Sequence, residues 1–447
     1  MTKNLFRSLG LVAAVAIVPA ATAALAAVDS ETYREFDQFM SVFERVRAQY
    51  VDQVDDKTLM RGAIDGMLNS LDPHSSYLDE RGYESLMTQT DGEYGGLGLN
   101  VTLEDGAVKI VAPIEDSPGD KAGIKAGDYI SHLNGKLIYG GTLDEAVDQM
   151  RGAPGTTIRL TIIRPGRDKP FDVSVTRAIV ELPAVKWEVK DRVGVINVNT
   201  FSRTTTQETL AAISGIEKSL GGQPLGYVLD LRSNPGGLLD QAVGLSDVFL
   251  ERGEVVSQRG RRKGDIERYY AQPGDAARGL PVVILVDSGT ASAAEIVAAA
   301  LQDHHRAVVM GERSFGKGSV QTLLPLSEKT ALRLTTARYY TPSGRSVQEG
   351  GITPDIEVPQ LSDPDYKSRP KLREADLRRH LINEIKVDEA VITEDGKPDP
   401  RFAATPDELK KKGIEDFQLH YALQTLTRLG RTNVAAKPAA PARTGTR

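Results

Sequence analysis

The 447-residue chain contains no cysteine, so no disulfide can stabilise it and no cysteine can act as a nucleophile. Its six histidines lie at no metal-ligand spacing; the adjacent His304 and His305 would point to different faces of a helix, which favours surface positions. A net charge of −6 argues against a general nucleic-acid-binding role. With 40% hydrophobic and 26% charged residues, the composition is typical of a soluble globular protein of two or three domains.

Long apolar runs are absent except at the N-terminus. There, two basic residues precede "LGLVAAVAIVPAATAALAA", which contains a proline and ends in small residues. This order predicts a secretory signal peptide over residues 1–26, cleaved after Ala26 or, alternatively, after Ala23. An uncleaved membrane anchor is the other interpretation, because the run is near the lower length limit for spanning. Export would place the mature chain where ATP is usually lacking.

The rest of the chain divides into stretches that differ in the spacing of their apolar residues. "YREFDQFMSVFERVRAQYV" has apolar residues at helical spacing, on a face that suits either a core or a partner chain, whereas "GLGLNVTLEDGAVKIVAPI" predicts two strands around a turn. Farther along, strands and helices alternate, and "DLRRHLINEIK" and "EDFQLHYALQTLTRL" predict charged helices. We therefore expect an α+β multidomain fold. Its parts are a helical region (27–92), a strand-rich domain (93–180), a mixed α/β core (181–360), a helical region (361–430) and a disordered tail (431–447).

The segment "VDSGTASAAEI" follows an apolar strand and precedes a helix. Ser292 would lie at the strand-to-helix turn, beside unpaired N–H groups and a helix dipole that favour developing negative charge. That is the setting of a nucleophile, although the pattern G-x-S-x-G is absent. From these residues alone, an ordinary helix N-cap is the more common explanation.

A second candidate, "VLDLRSNPGG", takes a strand into a glycine-containing turn. The backbone N–H groups of Gly236 and Gly237 could approach a ligand closely and complete an oxyanion hole. A plain turn is an equally good interpretation, and Asp230 and Arg232 would then simply pair.

The third candidate, "GERSFGKGSV", is almost a phosphate-binding P-loop, but Gly318 stands where serine or threonine is required. A P-loop also needs a helix directly after the lysine, whereas the residues that follow alternate as in a strand. Lys317 could instead be a general base, if burial lowered its pKa from ~10.4 towards 7–8. Gln321 could orient the amine without adding charge, whereas a carboxylate there would favour the protonated form. A solvated surface lysine is the simpler alternative.

Taken in order, these blocks resemble the carboxyl-terminal processing proteases, which are periplasmic or luminal serine peptidases. The resemblance covers roughly residues 30–360 and includes "LDPHSSYLDERGYESL", "GGLGLNV", "SPGDKAGIKAGDYISHLNG", "LDLRSNPGG", "TASAAEI", "FGKGSVQ" and "TARYYTPSGRSVQEGGITPDIEV". It implies that Ser292 is the nucleophile, that Lys317 is the general base and that Gln321 orients the lysine. No metal or other cofactor is implied.

The resemblance also implies oxyanion donors from the backbone of Ala293 and from the "NPGG" turn, without deciding between Gly236 and Gly237. One departure is Ala294, where the family often has serine. Since that serine is not the nucleophile, the assignment of the site is unaffected.

The strand-rich domain resembles a PDZ domain, which binds the C-terminus of a peptide as an added strand. Its carboxylate-binding loop would be Gly96, Leu97, Gly98 and Leu99. The side chains of Leu97 and Leu99, with Val147, would line a pocket for the last residue, or else belong to the domain core.

The resemblance thus implies a periplasmic serine endopeptidase that recognises protein C-termini and cleaves through a Ser-Lys pair. The main alternative is a non-catalytic periplasmic PDZ scaffold, and nucleotide binding by the P-loop-like stretch is a weaker one. The expected partners are protein substrates bound by their C-termini. A homo-oligomer and an adaptor lipoprotein stay open, and no nucleic acid is expected.

Overall fold

The computed structural model describes residues 30–366, 368–385 and 401–435, which excludes the predicted signal peptide. They form two compact units, and the boundary in the chain falls between residues 67 and 68. In the first unit lie α1 (Ser30–Gln49) and most of α2 (Asp56–Asn69). On α1, the predicted apolar face is open to solvent, with Phe36 61% and Met40 42% exposed. No helix among the described residues is both long and apolar enough to cross a membrane.

The domain predicted at 93–180 is an antiparallel sheet flanked by short helices. Its strands run in the order β3-β4-β5-β7-β8, with β6 beside β5. They are β3 (Leu99–Glu104), β4 (Ala107–Pro113), β5 (Tyr129–Leu133), β6 (Lys136–Leu137), β7 (Thr157–Ile163) and β8 (Phe171–Thr176). A two-stranded ribbon, β2 (Glu93–Gly96) with β9 (Ala178–Glu181), closes the domain where the chain enters and leaves it. The helices are α3 (Glu80–Asp91), which precedes the ribbon, α4 (Pro118–Lys121) and α5 (Leu143–Met150).

The core predicted at 181–360 is built on a six-stranded sheet. Its order is β10-β11-β12-β15-β16-β19, in which only the β10-β11 pair is antiparallel. The strands are β10 (Val185–Lys190), β11 (Val193–Val198), β12 (Tyr227–Asp230), β15 (Val282–Val286), β16 (Ala307–Gly311) and β19 (Ile356–Glu357). Strands β12 and β15 are buried at every position and β11 at all but one, as expected of a parallel sheet covered on both faces.

Helices cover both faces of this sheet. On one face lie α6 (Thr205–Leu220), α7 (Leu239–Asp247) and α8 (Ala293–Asp303), packed through side chains such as Ile216, Leu245 and Val297. The other face is covered by the C-terminal helix α10 (Phe417–Ala435), whose Leu426 is fully buried, and α9 (Pro406–Lys411) precedes it. The predicted helix "EDFQLHYALQTLTRL" is thus present, and it continues to Ala435, beyond the predicted boundary at residue 430.

A second sheet joins distant parts of the chain around the long strand β18 (Ala331–Tyr340). On one side β18 pairs with β17 (Ser319–Pro325), and on the other with β1 (Ser76–Leu78) and β13 (Gly253–Gly260). The outer strand β14 (Ile266–Ala271) pairs with β13. By adding β1 to this sheet, the chain brings the segment before it, "LDPHSS", beside the core.

The predicted helix "DLRRHLINEIK" is wrong for its described residues. Only a 3₁₀ turn, Glu374–Asp376, is present, and the chain then runs irregularly to residue 385. Two carboxylate oxygens of Glu349 bind His380 and the N–H of Asn383, and the side-chain amide of Asn383 donates to the carbonyl oxygen of Gln348. These contacts hold the segment against the core and commit the N–H of Asn383, which a helix would have paired internally, so tertiary contacts override the local propensity.

Candidate active site

Ser292 lies at the turn between β15 and α8, as the sequence predicts. It immediately precedes the first helical residue, and its φ of 55° and ψ of −118° are unusual for a residue with a side chain. Such strained backbone is concentrated at functional sites, where the surroundings over-determine it. The N–H of Ala293 bonds to no acceptor in the described part of the chain. An unpaired donor therefore stands directly after Ser292, at the positive end of a helix.

The buried carboxylate of Glu295, a residue outside the predicted site, holds this turn. Its Oε2 accepts the N–H of Ser292 at 2.8 Å and that of Lys317 at 3.0 Å. Its Oε1 accepts the hydroxyl of Ser314 at 2.5 Å and the N–H of Gly316 at 2.8 Å. One oxygen atom thus joins the backbones of the two residues predicted to react. Burial raises the pKa of Glu295 to about 7, although the four donors oppose that rise.

The phenol of Tyr339 forms a second bridge between the same two residues. Its hydroxyl lies 3.2 Å from the carbonyl oxygen of Ser292 and also contacts the carbonyl oxygen of Lys317. The side chain is fully buried, and this burial raises the pKa of Tyr339 well above its usual value. The phenol therefore stays protonated at neutral pH and can donate to either carbonyl. Glu295 and Tyr339 together pin both backbones, one through N–H groups and the other through C=O groups.

Lys317 lies in the loop between β16 and β17, and a strand rather than a helix follows it, as predicted. Burial is the main cause that lowers the pKa of its amine, and the nearby Arg333 lowers it further. The carboxylates of Glu374, Glu295 and Asp72 oppose this shift. Among the residues described, no cluster of three or more histidine or acidic side chains could hold a metal ion. The local chemistry is thus that of a desolvated amine.

The side chains of Ser292 and Lys317 do not hydrogen-bond to each other in the described structure. Gln321 lies on β17, and its amide nitrogen donates to the hydroxyls of Ser319 at 3.0 Å and Thr335 at 3.2 Å. Its carbonyl oxygen accepts no hydrogen bond from a described residue. The structure therefore brings the three predicted residues to one region and leaves one acceptor of Gln321 uncommitted.

The "NPGG" turn packs directly against the nucleophile turn. A Cβ atom added to Gly236 would lie 2.8 Å from the Cβ of Ser292 and 2.9 Å from the nitrogen of Ala293. The N–H of Gly236 already donates to Oδ1 of Asn234 at 2.8 Å, whereas the N–H of Gly237 has no acceptor among the described residues. The two glycines therefore differ in what they can offer a ligand.

Asp230, the last residue of β12, pairs with Arg232, which follows the strand. The guanidinium of Arg232 contacts Asp230 at 2.6 Å and also Asp416, just before α10, at 2.7 Å. The C-terminal helix is thereby joined to the loop that carries the two glycines.

In the strand-rich domain, the predicted carboxylate-binding loop joins β2 to β3. Leu97 is only 2% exposed and belongs to the domain core, whereas Leu99 and Val147 are partly exposed and pack against that core. Gly98 has φ +69°, and a Cβ there would lie 2.2 Å from the Cβ of Ser117. Only glycine fits this tight connection. The last predicted loop residue, Gly96, ends β2.

Family models match three parts of the chain. The model for peptidase family S41 matches residues 192–358, that for the N-terminal domain of the activating protease CtpB matches 16–82, and a PDZ domain model matches 109–164.

Similar proteins cover most of the chain. A carboxy-terminal-processing protease of Bartonella bacilliformis is 52% identical over 79% of this chain and 82% of its own length. The carboxy-terminal processing protease CtpA of Bacillus subtilis is 38% identical over 76% of this chain and 71% of its own length. Among solved structures, the photosystem II D1 C-terminal processing protease is 28% identical, with a TM-score of 0.42 over 72% of this chain and 92% of that one.

Proposed function

This chain belongs to the carboxy-terminal processing proteases of peptidase family S41, and we propose that it cleaves by a Ser-Lys acyl-enzyme mechanism. It is a serine-type peptidase with a PDZ domain that serves to bind the C-termini of protein substrates. The observation that carries the mechanism is the bridge formed by Glu295, whose Oε2 accepts N–H bonds from both Ser292 and Lys317.

In the proposed first step, the neutral amine of Lys317 removes the proton of the Ser292 hydroxyl while Oγ attacks the substrate carbonyl. The protonated amine then gives that proton to the leaving nitrogen as the C–N bond breaks. Water, deprotonated by the same amine, releases the acyl group from Ser292. The buried setting of Lys317 supports this role, because desolvation favours the neutral base.

The two proton-transfer partners must approach each other for this step. Catalytic hydrogen bonds are often long or unformed without substrate and tighten in the complex. The pinned backbones leave only side-chain rotation to bring Oγ of Ser292 to Nζ of Lys317. The free carbonyl oxygen of Gln321 is the acceptor proposed to orient the amine.

The proposed oxyanion hole uses the N–H groups of Ala293 and Gly237. Both donors are uncommitted among the described residues, whereas the N–H of Gly236 is bonded to Asn234. Gly236 contributes by its small size, since a Cβ there would lie 2.8 Å from the Cβ of Ser292 and 2.9 Å from the nitrogen of Ala293. Two fixed donors stabilise the negative charge on the tetrahedral intermediate without reorganisation, and removing one such donor typically costs 10²–10³ in rate.

We propose that the PDZ loop at residues 96–99 takes the substrate carboxylate, with Leu99 and Val147 as pocket walls and Leu97 as core support. The test compares a peptide with a free apolar C-terminus with its C-terminal amide. Amidation is expected to slow cleavage, because it removes the charge that the loop N–H groups bind. Equal rates for both peptides would contradict capture by the PDZ domain. Export of the chain to the periplasm is part of the same proposal.

The mechanism is tested with purified Ser292→Ala and Lys317→Ala. Both variants are expected to keep the circular dichroism spectrum and thermal unfolding of the parent protein and to lose peptide cleavage. A matched control is Lys190→Ala, since Lys190 pairs with Glu188 on an exposed strand of the same sheet. Substantial cleavage by either site variant would contradict the mechanism. If the unaltered protein also cleaved no peptide, the alternative of a non-catalytic PDZ scaffold would gain support.

A further inference from the structure

The orientation of Gln321 is determined by its neighbour on the next strand. A β-bulge between Val320 and Gln321 shifts the β17-β18 register and places Gln321 directly opposite Thr335. Bulges of this kind re-aim a side chain, here bringing the amide nitrogen of Gln321 to the Thr335 hydroxyl at 3.2 Å. The other partner of this nitrogen, the hydroxyl of Ser319, can donate or accept. Ser319 therefore cannot decide which end of the amide faces the strand.

Thr335 can decide it, because the direction of its own hydroxyl is fixed. Its Oγ1 donates to Oδ1 of Asp72 at 3.1 Å, and this oxygen acts as an acceptor, because it also accepts two backbone N–H groups. With its single proton committed, Oγ1 can only accept from Gln321, which must present its NH₂ group. The carbonyl oxygen of Gln321 is then turned away from Thr335 as an acceptor for an amine.

Asp72 reaches this position because β1 pairs with β18, which brings "LDPHSS" beside the base. Its side chain is only 3% exposed, and Oδ1 also accepts the N–H groups of His74 and Ser75 at 2.8 Å each. Those two bonds fold the local turn. The Thr335 bond is additional to them and extends from the turn towards the active site.

We propose, on the basis of the Ser-Lys mechanism above, that Thr335 is a positioning residue of the general base. Asp72 fixes the hydroxyl of Thr335, Thr335 fixes the amide of Gln321, and Gln321 orients the amine of Lys317. A residue 245 positions before the lysine thus directs its geometry. The segment that carries Asp72 therefore helps to position the general base.

Charge and geometry can be separated at this site. The charged groups around Lys317 are Arg333 on β18, Glu374 in the 3₁₀ turn, Glu295 on α8, and Asp72. Asp72 acts on Lys317 in two ways, as a distant negative charge and through Thr335. Thr335 acts only through the hydrogen bonds, so its removal leaves the charges unchanged.

The first experiment measures kcat and KM for Thr335→Val and Thr335→Ser on a quenched peptide with a free apolar C-terminus. Valine keeps the shape of the side chain but removes the hydroxyl. The amide of Gln321 can then exchange its oxygen and NH₂ positions while it still hydrogen-bonds to Ser319. We expect kcat to fall on the order of 10- to 100-fold, as for a misplaced catalytic group, with KM nearly unchanged. Serine restores the hydroxyl and should recover most of kcat. A valine variant within twofold of the parent kcat would overturn the proposal.

A double-mutant cycle tests whether Thr335 acts through Gln321, and the Asp72→Asn variant described below covers the case in which Thr335→Val folds poorly. Gln321→Met removes the amide, and Gln321→Met with Thr335→Val should lose no more kcat than Gln321→Met alone, because Thr335 acts through Gln321. Losses that multiply would show that Thr335 acts independently of Gln321 and would overturn the proposal.

Asp72→Asn provides the complementary readout. Its Oδ1 is held by two backbone N–H groups and still accepts from Thr335, while the charge is lost. The acidic limb of the kcat/KM profile should move to lower pH, because losing a negative neighbour lowers the pKa of Lys317. The loss of kcat should be smaller than for Thr335→Val; a loss as large, without a limb shift, would contradict the scheme. If Ser292→Ala and Lys317→Ala stayed active, the Ser-Lys mechanism itself would be contradicted. If both were inactive while Thr335→Val was fully active, only the role of Thr335 would be contradicted.

Discussion

Replacement of Glu295 tests whether the bridged backbones are needed for stability and activity. Glu295→Ala would leave four donors without their acceptor: the N–H groups of Ser292, Gly316 and Lys317, and the hydroxyl of Ser314. At about 1–3 kcal/mol for each buried unsatisfied donor, the cost is about 4–12 kcal/mol. The free energy of unfolding of a whole domain is only about 5–15 kcal/mol. We therefore expect this variant to lose both the site and most of its stability.

Glu295→Gln separates stability from chemistry, because glutamine retains one oxygen. The hydroxyl of Ser314 can rotate and accept, so the new NH₂ group should face Ser314 and Gly316. The N–H of Gly316 and the hydroxyl proton of Ser314 then lose this acceptor, at a cost of about 1–3 kcal/mol each, which is less than the cost of losing all four donors' acceptor. The oxygen should continue to accept from Ser292 and Lys317, so measurable cleavage should survive.

The assay is urea unfolding followed by circular dichroism, in a Ser292→Ala background that prevents self-cleavage. A surface control is Glu188→Gln, whose side chain is 46% exposed, so its pairing should contribute less than about 1 kcal/mol. The order of stability should be the control, then Glu295→Gln, then Glu295→Ala. A Glu295→Ala protein within 1 kcal/mol of its parent would refute the argument from unsatisfied donors.

Two further predictions concern the same region. Gly236→Ala should lower kcat strongly, because its Cβ would lie 2.8 Å from both the carbonyl oxygen of Ala291 and the Cβ of Ser292. The backbone φ of +97° at this position also disfavours any side chain. Full activity of this variant in steady-state assays would contradict the close approach. Stability should also depend on the ionisation of Glu295, whose pKa burial raises to about 7, above ~4.3 in the unfolded chain. Between these two pKa values the folded state binds a proton that the unfolded state has lost. The contribution of Glu295 to the free energy of unfolding, roughly 3–4 kcal/mol, is therefore fully present below pH 4 and is lost as the pH rises through 7. Urea unfolding at several pH values should show that dependence in the Ser292→Ala protein and a flatter one with Glu295→Gln added; identical profiles would contradict it.

Local features of this fold were predictable because short-range rules determine them. Thr142 caps α5 with a capping box, and Gly221 ends α6 in a left-handed conformation, and both residue types are the ones that such positions favour. The strand after Lys317 was predictable from its alternation, which separated this loop from a phosphate-binding loop. Motif order then pointed to Ser292 and Lys317 through family resemblance.

The parts that sequence reasoning missed depend on contacts between distant segments. Glu295 is only three residues from Ser292, but it joins the two site residues because it also accepts the backbone N–H of Lys317, 22 positions away. Tyr339 and Thr335 both lie on β18, which alternation predicts as a strand without indicating what either side chain contacts. The failed helix at 376–386 has the same cause, because its described residues are held by Glu349 and Gln348. A signal for Glu295 did exist: an acidic residue inside the apolar helix "AAEIVAAAL" must find partners if it is buried.

The central claim is that Ser292 carries the acyl group and Lys317 drives its formation. Intact-mass and peptide-mapping mass spectrometry after rapid acid quench of the enzyme with a peptide substrate tests this most directly. An adduct equal in mass to the acyl fragment should appear on the peptide containing Ser292, be absent from Ser292→Ala, and be strongly reduced in Lys317→Ala. Turnover with no adduct at Ser292, together with cleavage by Ser292→Ala at a rate near that of the parent, would contradict the account.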